Sequence, residues 1–170
     1  MLIRVRGKQA NFDQERSMGR TVITYGTFDM FHVGHLNLLK TLKAMGDELI
    51  VAVSTDEFNL QKGKKVLIPY EQRAAIVQAI EYVDRVIPEE SWEQKEIDVE
   101  KYQVNLFAIG KDWEGRFDFL KPKCEVVYVE RTKNISTTSL KQSLKRFLSI
   151  SREDLERAFD VLDLLRKDLE

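Results

Sequence analysis

Apolar residues recur along this chain in two alternating rhythms. Short runs dense in β-branched and aromatic side chains predict buried strands at 20–26 (RTVITYG), 48–54 (ELIVAVS), 83–87 (VDRVI), 104–109 (VNLFAI) and 125–129 (EVVYV). Between them the apolar period lengthens to that of a helix. Leu36, Leu39, Leu42 and Met45 share one face over 34–45, and Gly46 is placed to cap the C-terminal end. Residues 71–80 and 93–103 predict two more helices, and Ser136 or Thr137 can cap another through LKQSLKRFL. The segment 59–69, NLQKGKKVLIP, reads as a basic loop that Pro69 stops. Ser151 with Asp154 marks a last helix start, after which Leu155, Ala158, Phe159, Leu162, Leu165 and Leu169 form one apolar stripe. Strands alternating with amphipathic helices predict an α/β fold. It is a Rossmann-like, doubly wound parallel sheet of about five strands with helices on both faces, plus a C-terminal helix. Three parts follow: an arm at 1–19, a core domain at 20–148 and the helix at 149–170. In such sheets ligands sit beyond the carboxyl ends of the strands, so function is sought just after residues 26, 54, 109 and 129.

Composition narrows the class. The 170 residues hold 27 Lys and Arg against 28 Asp and Glu, a net charge of −1. That excludes a protein whose whole surface grips nucleic acid and leaves room for a local anion site. The lone Cys124 excludes an internal disulfide. No apolar run approaches the roughly 18 residues that span a bilayer, and the first residues have no secretory h-region. A cytoplasmic enzyme or binding domain without a membrane span is expected. The ends differ in charge. Residues 1–20 carry five basic and two acidic side chains, and 151–170 carry four basic and seven acidic. The basic arm can therefore lie along the acidic helix, although exposed pairs stabilise weakly. The apolar stripe must pack on something, either the core or a homodimer interface.

The densest chemistry follows the first strand: Tyr25-Gly26-Thr27-Phe28-Asp29-Met30-Phe31-His32-Val33-Gly34-His35. A glycine at a strand end lets a phosphate approach the backbone, and the next helix N-terminus favours an anion. The two histidines of the chain, His32 and His35, straddle that helix start. There they can donate to phosphate oxygens where charge builds up. The plain alternative is an ordinary strand–helix turn with two surface histidines. A metal site lacks further Cys or His to complete it. Arg131 follows a predicted strand and precedes Ile135-Ser136-Thr137, which makes it more than a solvated arginine. Lys62-Gly63-Lys64-Lys65 is a cationic loop able to close over an anionic substrate.

The stretch TYGTFDxxHxGH resembles the nucleotidyltransferase superfamily that carries a His-x-Gly-His signature on a Rossmann-like sheet. Further segments are STDEFNLQK (54–62), YVDRVIPEESWEQK (82–95), GKDWEGRFDFL (110–120), CEVVYVERT (124–132) and ISTT (135–138). With these, residues 19–146 are similar to the glycerol-3-phosphate cytidylyltransferases, which make CDP-glycerol for teichoic-acid-type polymers. The resemblance implies in-line attack of a phosphorylated acceptor on the α-phosphorus of CTP. It implies that His32 and His35 stabilise the transition state and that backbone at Thr27 and Phe28 cradles phosphate. Arg131, with Gly110, Asp112, Thr132, Ile135, Ser136 and Thr137, would hold CTP. Ser136 and Thr137 would offer hydroxyls and a helix N-terminus to the triphosphate, and Asp112 would meet the cytosine or ribose edge. Lys62 matches a family lysine on the acceptor phosphate, with Lys64 and Lys95 on the same side. Asp29 either orients a histidine or contacts acceptor hydroxyls. Arg73 either supports the phosphate site or is a helix-surface arginine, and Trp92 is either core or cleft wall. Mg²⁺ is implied through the triphosphate with no protein ligand, and a homodimer is implied by the family's habit.

Three positions depart from the pattern: Glu81 in place of an arginine, Lys111 in place of an acidic residue and Asn134 in place of a glycine. Lys111 raises the expectation of an additional anionic group on the acceptor. Asn134 tolerates the left-handed turn better than most residues. Glycerol 3-phosphate is the expected acceptor, with other polyol phosphates or small phosphorylated metabolites as alternatives. Adenylyl transfer is disfavoured by Arg-Thr-x-x-Ile-Ser-Thr, and a non-catalytic nucleotide-binding module by the presence of both histidines.

Overall fold

The computed structural model describes residues 19–133 and 135–167. Five parallel strands, β1 (Thr21–Gly26), β2 (Glu48–Ser54), β3 (Arg85–Glu89), β4 (Leu106–Gly110) and β5 (Glu125–Val129), form one sheet in the order β3-β2-β1-β4-β5. The helices are α1 (Val33–Lys43), α2 (Asp56–Gln61), α3 (Tyr70–Gln78), α4 (Gln94–Lys101), α5 (Thr137–Leu148) and α6 (Arg152–Lys167). The chain winds from β1 to β3 in one direction and then crosses back to β4 and β5. The reversal falls between β1 and β4, which places the switch point beside Gly26 and Gly110.

Strand periodicity fills two cores. Val22, Leu49, Val51, Val53, Leu106 and Ala108 point to the face covered by Leu39 and Leu42 of α1 and Val77 of α3. Their neighbours Ile23, Tyr25, Ile50, Ala52, Phe107 and Ile109 point to the opposite face, against Val99 of α4, Phe117 and Leu120. Burial on both faces explains why these strands read as continuous apolar runs instead of alternating ones.

Several boundaries differ from the sequence expectation for local reasons. The segment expected to be loop from residue 59 is already helical, because α2 starts at Asp56. Thr55 Oγ1 caps it by accepting from Phe58 N–H at 3.1 Å, and Asp56 and Glu57 sit in its first turn. β3 runs two residues later than expected and contains Pro88, which an edge strand tolerates. Gly46 does not cap α1, whose C-cap is Ala44. Its lack of a side chain is needed elsewhere: a Cβ there would sit 2.5 Å from the Arg20 carbonyl oxygen and from Val22 Cγ2. Two 3₁₀ turns, Lys111–Trp113 and Asp118–Leu120, fill the connection after β4.

The C-terminal stretch forms the two helices expected of it, α5 capped at Ser136 and a single helix, α6, after residue 149. Ser151 Oγ accepts from Asp154 N–H at 3.0 Å, so α6 starts where its capping pattern predicts. Neither α5 nor α6 has a buried residue, so the apolar stripe does not cover the core. The arm at 1–18, Asn134 and Leu169 lie outside the described residues.

Candidate active site

The carboxyl ends of β1, β2, β3, β4 and β5 open into a cleft of about 500 Å³. Lys62, Lys64, Lys65, Lys95, Arg131 and Lys141 line it against four carboxylates, Asp29, Glu89, Asp112 and Glu130. A cationic excess concentrated here, in a chain of net charge −1, makes the cleft an anion site.

The turn after β1 forms the first wall. Phe28 and Met30 adopt positive φ of 52° and 49°, a strained choice for side-chain-bearing residues. Phe28 folds beneath Gly26, where a Cβ would lie 2.8 Å from its ring, so only glycine fits at that strand end. At Thr27 two long-range contacts help fix the turn. Arg73 NH1 donates to the Thr27 carbonyl at 2.5 Å, and Thr27 Oγ1 donates to Asn59 Oδ1 at 2.9 Å.

His32 is the N-cap of α1. Its Nδ1 accepts from Gly34 N–H at 3.0 Å, and His35 Nδ1 accepts from His32 N–H at 3.4 Å, a reciprocal capping box built from imidazoles. A Cβ on Gly34 would come within 2.8 Å of the His32 ring, which accounts for the glycine between the histidines. The rings stack with centroids 3.9 Å apart. Burial holds His32 below its ordinary pKa. Burial, then the neighbouring His32 and Arg131, push His35 down to about 4. Both are neutral at physiological pH. Because each Nδ1 accepts a backbone hydrogen bond, each ring carries its proton on Nε2. His32 Nε2 is buried without a hydrogen-bond partner, a donor awaiting an acceptor.

The opposite wall holds the lysines. Lys62 is the C-cap of α2, not part of a free loop. Its Nζ donates to Ser54 Oγ at 2.8 Å and to Glu89 Oε2 at 3.2 Å. Lys95 Nζ donates to Glu89 Oε1 at 2.6 Å, and the residue is 1% exposed. Burial lowers Lys62 to about 8, although Glu89 draws it upward, and burial also lowers Lys64. Trp92 is both core and wall: it meets Phe58 edge-on at 5.4 Å and lines the cleft next to Trp113.

On the nucleotide side, Arg131 pairs with Asp112 at the rim. A Cβ on Gly110 would meet nothing within 4 Å, so space opens directly above β4. Thr132 Oγ1 accepts from Asn37 Nδ2 at 3.3 Å. Ile135 lies beside Gly34, and the N-terminus of α5 points its first turn into the cleft.

Three expectations change on these contacts. Asp29 does not present its carboxylate to an acceptor. It is 2% exposed and accepts from Leu67 N–H and Ile68 N–H at 3.0 Å and from Lys141 Nζ at 2.6 Å, tying the β1 turn to the lysine segment and α5. Arg73 is buried outside the cleft, with Nε on the Ile68 carbonyl and NH2 on Asp56, so it acts through the Thr27 carbonyl. The hydroxyls of Ser136 and Thr137 are engaged, on Ser139 and on the Asp29 carbonyl. The N–H groups of Thr137 and Thr138, at the start of α5, are what remain for an anion. Lys111 pairs with Glu130 and does not line the cleft, and Glu81 is exposed. Sequence reasoning missed Glu89, Ser54, Trp113 and Lys141. Glu89 stood inside the quoted YVDRVIPEESWEQK segment and Ser54 at the head of STDEFNLQK, though neither was singled out. Trp113 stood inside the quoted GKDWEG segment, and Lys141 one turn into the helix capped at Ser136.

The Cytidylyltransferase-like family matches residues 23–144. A glycerol-3-phosphate cytidylyltransferase of Staphylococcus aureus (strain NCTC 8325 / PS 47) is 59% identical over 125 residues, 74% of this chain and 95% of that protein. A glycerol-3-phosphate cytidylyltransferase of Bacillus subtilis (strain 168) is 56% identical over 125 residues, 74% of this chain and 97% of that protein. Among solved structures, the lipopolysaccharide core biosynthesis protein from Thermoplasma volcanium GSS1 superposes with a TM-score of 0.60 at 24% identity. The match covers 68% of this chain and 99% of that one, a likeness of fold.

Proposed function

The chain belongs to the cytidylyltransferase-like family, and we propose that it transfers CMP from CTP to sn-glycerol 3-phosphate, giving CDP-glycerol and pyrophosphate. A phosphate oxygen of the acceptor attacks the α-phosphorus of CTP. The new P–O bond forms as the bond to pyrophosphate breaks. The attacking group is already an anion, so no general base is required. What the reaction needs is positioning and donors for the charge that grows on the α-phosphate. The observation that carries this reading is the neutral, stacked His32–His35 pair, fixed by its own capping box, with His32 Nε2–H unpartnered and able to meet a phosphate oxygen. The buried lysines opposite suit the acceptor phosphate, and Arg131 with the α5 N-terminus suits the triphosphate.

Mg²⁺ accompanies the triphosphate. Among the described residues no group of three or more His, Cys, Asp or Glu side chains could hold a metal ion, and Asp29 and Glu89 are already engaged by lysines. An ion held by the nucleotide phosphates and water would offset charge on the leaving pyrophosphate. Among the described residues no helix is long and apolar enough to cross a membrane, and we place the reaction in the cytoplasm, where CTP is available.

We further propose that a second copy of the chain covers α5 and α6. Ten large apolar side chains between Leu144 and Leu165 are 44% to 73% exposed. Glu153 and Asp154 sit in the first turn of α6 and Arg166 and Lys167 in its last, so two antiparallel copies bring opposite charges together.

The reaction is tested by an acceptor screen with CTP and Mg²⁺, following pyrophosphate release. Glycerol 3-phosphate should give the highest kcat/KM, with CDP-glycerol identified by mass spectrometry and ATP a poor replacement for CTP. Faster turnover with another phosphorylated acceptor, or with ATP, overturns the assignment.

A further inference from the structure

The lysine wall contains an arrangement that the transfer chemistry alone does not require: two buried ammonium groups on one buried carboxylate. Glu89 ends β3 and is 3% exposed. Its Oε1 takes Lys95 Nζ at 2.6 Å, and its Oε2 takes Lys62 Nζ at 3.2 Å and the Ser54 hydroxyl. Each ammonium has three N–H bonds. Lys62 uses two on Ser54 Oγ and Glu89, and Lys95 uses two on Glu89 and the Ser91 carbonyl at 3.3 Å. Aromatic faces enclose both, with Phe58 4.1 Å from Lys62 Nζ and Tyr25 4.6 Å and Trp92 4.9 Å from Lys95 Nζ. Each lysine thus keeps one N–H not taken by an oxygen, and the two are neighbours because they share a carboxylate.

Two buried ammonium groups without a counter-ion would shed a proton. With Glu89 between them the cluster carries a net charge of +1, still unsatisfied toward an anion. Further charges act on it from the surrounding elements. Lys64 opposes the charged form of Lys62 from the same segment, and Tyr25 of β1 faces Lys95 with its hydroxyl donating to Asp98 Oδ2 at 2.8 Å. Burial and Asp98 keep Tyr25 protonated.

We propose that Glu89 is the positioning residue of the acceptor subsite, holding Lys62 and Lys95 charged and side by side so that the pair receives the phosphate of the acceptor. This rests on reading the cleft as a cytidylyltransferase site. Glu89 touches no substrate; it acts through the two lysines.

The test compares the intact chain with Glu89→Gln and Glu89→Asp. Glycerol 3-phosphate and inorganic phosphate are each titrated by calorimetry from pH 6 to 9, with α,β-methylene-CTP filling the nucleotide side. Steady-state KM values for acceptor and CTP are measured alongside. In the parent chain phosphate affinity should fall as pH rises through about 8, where Lys62 loses its proton. Glu89→Gln should weaken acceptor binding roughly tenfold or more at pH 7, the scale of losing a charge-assisted pair, and move that midpoint at least about one unit lower. KM for CTP should stay within about twofold. Glu89→Asp keeps the charge and should keep the midpoint near that of the parent while binding the acceptor more weakly. An unchanged acceptor affinity and midpoint in Glu89→Gln overturns the proposal, as does an equal loss for CTP and acceptor. A parent chain that binds neither phosphate overturns it too. If Glu89→Gln does not fold, a displaced midpoint in a folded Glu89→Asp overturns it. Phosphate binding that depends on Glu89 in a chain with no CDP-glycerol synthesis would overturn the reaction and leave Glu89 in its role.

Discussion

The two walls of the cleft solve opposite electrostatic problems. On the histidine wall the functional groups are uncharged. His32 and His35 are held by each other's backbone and by Gly34, contacts that span three residues or fewer. On the lysine wall the groups are charged and buried, and the shared counter-ion lies farther along the chain: Glu89 is 27 residues from Lys62 and six from Lys95. A neutral donor can be desolvated cheaply and waits for charge to appear in the transition state. A buried ammonium needs a counter-ion from the moment of folding and then suits a ligand charged from the start. The difference assigns the walls: one to the reacting phosphorus, the other to the standing charge of the acceptor.

That division can be broken by experiment. His32→Ala or His35→Ala should lower kcat by roughly 10²–10³, the effect of removing one preorganised donor, with acceptor KM nearly unchanged. Steady-state kinetics checks this, and a rise in acceptor KM of similar size would merge the two walls. Lys62→Ala should do the reverse. Loss of a charge-assisted hydrogen bond should raise acceptor KM roughly 10- to 100-fold and leave KM for CTP within a few-fold. Equal effects on both substrates would make Lys62 a general lid. Removing residues 150–170 should leave kcat and both KM values within about twofold, because α6 buries nothing of the core. In sedimentation velocity the same deletion should shift the chain toward monomer. An unchanged mass in solution would remove the second copy from that face. The smallest effect belongs to Lys111→Asp. Paired with Glu130 at the surface, Lys111 should leave the acceptor profile as it is in a side-by-side screen, since exposed pairs contribute little. A new acceptor preference would return Lys111 to the site.

What the sequence reveals follows the same division. The sheet is legible because two-sided burial writes each strand as an apolar run, and the His32–His35 turn because its contacts are local and its glycines stand in the motif. Glu89 leaves only a faint mark: it stands inside the quoted YVDRVIPEESWEQK segment, but nothing there sets it apart from its neighbours. It lies at the end of an edge strand next to Pro88 and Glu90, and its meaning depends on Lys62 and Lys95 arriving from two different helices. Asp29 misleads for a related reason. A carboxylate in a catalytic turn looks free in sequence, yet it is consumed by backbone at Leu67 and Ile68 and by Lys141. The apolar stripe of α6 is plain in the sequence, but no periodicity says what a stripe packs against.

The central claim is that both imidazoles are neutral Nε2–H donors fixed before substrate arrives. The chain has two histidines, so its ¹⁵N imidazole spectrum holds two rings. Long-range ¹H–¹⁵N correlations recorded from pH 4 to 8 should show Nδ1 unprotonated and Nε2 protonated in both rings across the neutral range. His35 should titrate only near 4, and His32 below 6.5. A ring that titrates at or above 6.5, or that carries its proton on Nδ1 at pH 7, would contradict the account.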